Sequence, residues 1–152
     1  MTLPVYYSAQ TARLGLPLLF SGQSQKETTV NEALFLIDVL VGGGVSGVRN
    51  DPPEAPATGE AWIVGNSPVG DFTGRAQDIA GWSEGGWRFI RPYDGMKVHD
   101  LQSRSVRFFD GSWKGALAPE TPAGGAVVDQ EARSTLDAIV QALKDVGIFS
   151  NT

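Results

Sequence analysis

Glycine and proline interrupt the middle of this 152-residue chain so often that no ordinary helix fits there. Of the 19 glycines and 9 prolines, those between Val45 and about Ala118 cut the sequence into short pieces: VSGVR, EAWIVG, GWRFIRP, MKVHDL and SVRFFD. Short runs rich in β-branched and aromatic residues, bounded by turn formers, read as strands. Ser83 to Gly86 and Asp110 to Ser112 read as hairpin turns, because glycine supplies positive φ at little cost. The segment DFTGRAQDIAGW leaves room for one short helical turn, at Ala76 to Ala80. PPEAPATGE, residues 52 to 60, reads as an extended surface connection.

Both ends carry a different period. From Ser24 onward, QKETTVNEALFLIDVLV places Val30, Ala33, Leu34, Ile37, Leu40 and Val41 on one face by three- and four-residue steps, the signature of an amphipathic helix. Ser24 and Glu27 match a capping box, and Gly42, Gly43 and Gly44 end the helix. At the other end, VDQEARSTLDAIVQALKDVGIF aligns Leu136, Ile139, Val140, Leu143 and Val146. Asp129 or Asp137 and Lys144 suit the helix dipole, and Gly147 with Ile148 forms the C-terminal stop. The proline- and glycine-rich APETPAGG, Ala118 to Gly125, is a linker.

These patterns predict an α+β protein with a small antiparallel sheet or barrel. Residues 1–20 form an extended attachment arm, 21–43 an amphipathic helix, 44–118 the β domain, 119–130 a linker and 131–149 an oligomerisation helix. The C-terminal stripe has two readings. Both helices pack on the sheet of their own subunit, or the last one joins a short parallel bundle at an oligomer axis. Leu136, Val140, Leu143 and Gly147 follow heptad spacing, over two heptads.

Composition narrows the function. With 41% hydrophobic and 19% charged residues, the chain holds one modest core. Its formal charge of -5 comes from 17 acidic and 12 scattered basic residues, which is not the footprint of a phosphate-backbone binder. The absence of cysteine excludes disulfides and thiolate metal sites. MTLPVYYSAQTARLGLPLL lacks the basic start and continuous apolar core of a secretory signal, and no apolar run approaches the roughly 20 residues that span a bilayer. A protein made in the cytoplasm without a signal peptide is expected.

Catalytic chemistry has little to stand on. His99 is the single histidine, and no GxSxG elbow accompanies it. Asp71, Asp94, Asp100 and Asp110 lack calcium-loop spacing and read as turn formers and solvated edges. No metal or cofactor is expected, and the protein reads as a non-enzyme. The aromatic residues are better ligand candidates, since indole faces stack on the C–H faces of sugars. Trp82, Trp87 and Tyr93, with Trp113, form the candidate glycan platform, and Asp94, Arg88 or Gln102 supply hydrogen bonds. Against this, Trp62 and Trp87 lie in strand patterns that suit a core.

The segments TARLGLPLLFSGQSQKETTVNEALFLID, PPEAPATGEAWIVG and FTGRAQDIAGWSEGGWRFIRPYDGMKVH, in that order, resemble the DUF2793 family of phage and prophage proteins over about residues 11 to 115. The resemblance implies a structural component of a head spike or tail fibre, including those of gene transfer agents, and carries no catalytic residues. Because one helix follows the sheet with no fibre repeats, a base or adaptor is expected. It would form a trimer or pentamer that contacts capsid or tail proteins and holds a fibre protein at the virion surface. Leu14, Leu16, Pro17, Leu18, Gln23, Gln25 and Lys26 at the arm, with Leu136, Val140 and Leu143, are then the assembly residues. The alternative is a module binding capsule or cell-surface polysaccharide, with a polysaccharide hydrolase as a minor alternative.

Overall fold

A computed structural model describes residues 9–19, 22, 26–121, 123–125 and 129–150. Among the described residues the architecture is α+β, with two helices and eight short strands in two small open sheets, not closed into a barrel. The chain forms two compact units, Met1–Arg91 and Pro92–Thr152.

In the first unit α1 (Lys26–Val41) leads through β1 (Gly44–Val45) into β2 (Val48–Arg49), β3 (Ala61–Val64), β4 (Ile79–Ser83) and β5 (Gly86–Ile90). The spatial order β2-β3-β4-β5 is mixed. β2 lies parallel to β3, with Val48 opposite Ile63, whereas β3, β4 and β5 are antiparallel. The purely antiparallel sheet expected from the turns fails at this pair. The proline-rich connection 50–60 is long enough to bring the chain back to the same end of the sheet, which a tight hairpin cannot do. The expected helical turn at Ala76 to Ala80 is also displaced. A 3-10 turn forms earlier, at Gly70–Phe72, Gln77 adopts a left-handed φ of 69°, and Ile79 onward is strand.

Strand pleating gives this sheet two faces. One carries Ala61, Ile63, Ile79, Gly81 and Arg88 and lies under α1; a Cβ on Gly81 would stand 2.9 Å from Val39 and 3.3 Å from Phe35. Glycine here is a close-approach residue that lets the helix settle onto the strand. The other face carries Val64 and Ala80, which form a buried cluster with Phe72 against Trp87 and Phe89.

Much of the apolar stripe of α1 stays open to solvent. Val30, Ile37, Leu40 and Val41 are 39%, 47%, 39% and 67% exposed, while Asp38 and Val39 are buried. From Ala33 to Val41 the helix is apolar on nearly every side, so periodicity alone does not select a face. The glycine gap on β4 and the bonding partners of Asp38 select it instead. Ser24, the other half of the expected capping box, lies outside the described residues, and Glu27 accepts a hydrogen bond from the Gly22 N–H at 3.3 Å.

In the second unit β6 (Lys97–Asp100), β7 (Ser105–Phe109) and β8 (Trp113–Gly115) run antiparallel, and α2 spans Gln130–Asp145. The Asp129 carboxylate caps α2 by accepting from the Ala132 N–H at 2.9 Å. Gly147, at φ 74°, ends it as expected, with the Ile148 N–H reaching the Leu143 carbonyl at 2.8 Å. Beyond the stop the chain is tied to the sheet, since the Val106 N–H donates to Gly147 O at 2.7 Å and the Ser150 N–H to Ala116 O at 3.0 Å. His99 lies against Gly147, 3.4 Å from the position a Cβ would take. No described helix is long and apolar enough to cross a membrane.

Candidate functional site

Residues 9–19, expected within an extended arm, fold back on α1 as a small hairpin. Gln10 bridges Pro17, the Thr11 N–H donates to Leu16 O at 2.9 Å and the Leu18 N–H to Ala9 O at 3.0 Å. Two polar residues of α1, seven apart and so on one face, hold this hairpin. Asn31 donates to Leu19 O at 3.0 Å and accepts from the Leu19 N–H at 2.9 Å. Asp38, fully buried, accepts from the Thr11 hydroxyl at 2.7 Å, the Leu14 N–H at 2.6 Å and the Arg13 N–H at 3.0 Å. The Arg13 guanidinium spans to Gly59 O at 2.6 Å and Val39 O at 3.2 Å. Burial lowers its pKa, and Asp38 opposes that shift. Sequence reasoning missed Asn31 and Asp38. Their signal was polar side chains at i and i+7, with Asp38 set alone among the apolar residues from Ala33 to Val41, where a polar group needs a partner once packed.

The hairpin leaves Leu14 and Pro17 exposed and Leu16 and Leu18 half-buried. Lys26 begins α1 and is exposed, while Gln23 and Gln25 lie outside the described residues. A groove of about 800 Å³ opens between the hairpin, α1 and the β4–β5 turn, with Phe35 and polar Gln10, Thr28, Asn31 and Ser83 on its walls. A paired Glu32 and Arg88 also line it, with two contacts of 2.7 Å. Hydrogen bonding from Arg88 holds the Glu32 carboxyl below its usual range.

Two members of the expected glycan platform, Trp82 and Trp87, meet within the first unit. Trp82 and Trp87 are direct cross-strand partners with ring centres 5.0 Å apart at 63°. Phe72 backs Trp87 at 5.0 Å, and both indoles are half-buried. Arg88, expected to serve this platform, points to the opposite face of the sheet, toward Glu32. Arg49 lies over Trp62 at 5.0 Å and Arg75 over Phe89 at 4.8 Å. Trp62 also donates to Glu60 at 2.8 Å. Tyr93 and Trp113 belong to the second unit. Tyr93 is 67% exposed, and Trp113 packs edge-on against Phe109 at 5.2 Å.

Among the carboxylates expected at solvated edges, Asp94 accepts from the Gly111 N–H at 3.1 Å and Asp110 pairs with Lys114 at 2.6 Å. Asp100 departs from that expectation. It is 1% exposed and takes the Arg107 Nε–H at 2.6 Å and the Gln102 and Ser103 N–H groups at 2.9 and 3.3 Å. Asp78 is also buried, and that burial raises its pKa against the pull of Arg75 and Arg91. No group of three or more potential metal ligands occurs among the described residues.

The second unit presents the opposite kind of surface. No residue of α2 is buried; Leu136, Ile139 and Val146 are 48%, 50% and 68% exposed, and Val140 and Leu143 are half-buried. The reading in which this helix packs its stripe within its own subunit is therefore not met within the unit.

No curated protein matches the chain. Residues 30–114 match a family described as "Protein of unknown function (DUF2793)", a span that begins within α1, runs through the strands as far as β8 and stops before α2, and the chain belongs to that family.

Proposed function

We propose that the protein is a non-enzymatic structural component of a phage-like particle such as a gene transfer agent, the base or adaptor of a head spike or tail fibre. The observation that carries this reading is α2. It is a capped, 16-residue amphipathic helix with no buried residue, fastened to its sheet beyond its C-terminal end. An apolar stripe built this regularly and left open in the single chain belongs to an assembled state. The uncovered Val30, Ile37, Leu40 and Val41 of α1 add a second open face. The protein then works as a homo-oligomer between capsid or tail proteins and a fibre protein, and it resides in the particle.

Purified particles carrying an epitope-tagged copy test this. Gold-labelled antibody is expected at one structural location on the particle. A Leu136→Asp, Ile139→Asp variant, folded by circular dichroism, is expected to be incorporated at least about tenfold less. Particles without the protein, or full incorporation of the variant, overturn the reading.

A second reading, host-surface glycan binding, is favoured by the Trp82–Trp87 pair. The rigid strands hold both indoles with part of each open, so little ordering is needed to seat a sugar. Trp82→Ala is expected to weaken adsorption to purified capsule polysaccharide about tenfold, the scale of one lost aromatic contact, while the protein remains folded. Unchanged adsorption rejects the platform. Release of reducing sugar would point to the hydrolase instead.

A further inference from the structure

We infer that α2 pairs antiparallel with α2 of a second copy of this chain, about a two-fold axis passing near Val140. The inference rests on the assembly reading and names the partner of its open helix. The stripe supplies the contact and its edges supply the direction. At 3.6 residues per turn, Leu136, Val140 and Leu143 run along the centre of the stripe. Asp137 and Lys144, two turns apart, share one edge, and Ile139 and Val146 lie toward the other. Neither Asp137 nor Lys144 takes an ion pair among the described residues.

When two such helices lie antiparallel, with the dyad perpendicular to the plane of their axes, like edges meet. Val140 faces Val140 of the second copy, and Leu136 faces Leu143 of the second copy. The same register sets Asp137 opposite Lys144 of the second copy, and symmetry repeats that pair. On the other edge Ile139 approaches Ile139 of the second copy, apolar on apolar. A parallel bundle joins unlike edges, so that Asp137 and Lys144 face the apolar side of a neighbour and no charge is matched. Edge charges set partner orientation in helix pairs. The outward stripe of α1 offers no such selection, since Glu32 and Asp38, the charged residues between Val30 and Val41, are bonded within the chain.

A helix of 16 residues is about 24 Å long, so the contact is small and a dissociation constant in the range of about 1–100 µM is expected. Sedimentation equilibrium of the full chain measures it. Asp137→Lys or Lys144→Asp alone places like charges together twice per dimer and is expected to weaken it about tenfold to thirtyfold. Asp137→Lys with Lys144→Asp restores opposite charges at both places, and the affinity is expected to return to within about threefold of the original. The double variant keeps each local helix effect of the singles, so recovery reports the pairing itself. A trimer or pentamer indifferent to these swaps overturns the antiparallel pairing and leaves the assembly reading standing. A chain that stays monomeric throughout that range, or a double variant no better than the singles, also overturns the pairing; particle incorporation decides the assembly reading separately.

Discussion

Replacing Asp38 with alanine is expected to lower the unfolding free energy by about 4 kcal/mol and to release the hairpin of residues 9–19 from α1. The carboxylate is fully buried and is the common acceptor for the Thr11 hydroxyl and the Arg13 and Leu14 N–H groups, all within 3.0 Å. Truncation leaves these donors short of an acceptor in a place water does not easily refill, and each buried unsatisfied group costs about 1–3 kcal/mol. The Arg13 guanidinium loses its neighbouring counter-charge as well. Urea unfolding gives the size of the effect. Limited trypsin digestion gives its location, because Arg13 lies in the turn of the hairpin and cleavage after it should accelerate well before global unfolding. Asp38→Asn keeps the volume but turns one acceptor into a donor among donors, and about 2–3 kcal/mol is expected. Thr11→Ala, which removes one donor together with its need, is expected to cost about 1 kcal/mol. Wild-type stability and tryptic resistance in Asp38→Ala would mean that the hairpin is held by something other than this staple.

This bonding adds an internal role to the segment from Thr11 to Asp38. Its continuous pattern pointed to an arm that reaches for a neighbour. Over residues 9–19 the pattern also records an internal closure, in which Leu16 and Leu18 are half-buried and polar groups at Asn31 and Asp38 hold the hairpin. Open apolar surface also lies on the outward side of α1, with Val41 67% exposed, and along α2 at Leu136 and Ile139. The first lies within the part of the chain matched to the family and the second beyond it.

Elements defined by local chemistry were legible in the sequence. β5, β6 and β7 fall inside GWRFIRP, MKVHDL and SVRFFD because turn formers bound them. α2 begins at Asp129 and stops at Gly147 because capping is a matter of a few adjacent residues. What stayed hidden depends on partners far along the chain. The orientation of α1 is set by Gly81, more than forty residues away in sequence, and by an aspartate whose donors lie about 25 residues upstream. Arg88 and Trp87 are neighbours in a strand, so they face opposite sides of the sheet. Grouping them into one platform by proximity in sequence ignored that alternation. Tyr93 falls on the far side of the Arg91–Pro92 boundary between units, which short-range pattern does not mark. Asp100 looked like one more turn aspartate in HDLQSRS, and its burial follows from the reach of Arg107 across the hairpin.

That last pair makes Arg107→Met a test with a distinctive pH dependence. Burial by itself pushes the Asp100 carboxyl up. The Arg107 hydrogen bond and charge, with the N–H groups of Ser103 and Gln102, outweigh burial together and hold the pKa below its ordinary value. A carboxylate depressed in the folded state contributes stability above its unfolded pKa of about 3.9, and that contribution is lost as pH falls through the folded value. Wild-type stability should therefore decline on acidification below about pH 4. Methionine keeps the apolar stem of the arginine and removes the charge and both roles of the Nε–H. The Asp100 side chain, 1% exposed, then sits as a buried carboxylate with its main counter-charge gone, and such losses cost about 3 kcal/mol at the lower end of their range; Arg107 is 26% exposed, which favours that lower end. With burial dominant, the folded pKa of Asp100 rises above the unfolded one and its contribution changes sign. Between about pH 4 and the raised pKa the folded state binds the extra proton, so the variant loses stability relative to wild type as pH rises through that window. Urea unfolding of both proteins at pH 7 and pH 4 should show a difference of about 3 kcal/mol shrinking to about 1 kcal/mol. A difference that is the same at both pH values would mean that Arg107 contributes packing alone, and that the N–H groups of Gln102 and Ser103 are sufficient to hold the Asp100 charge.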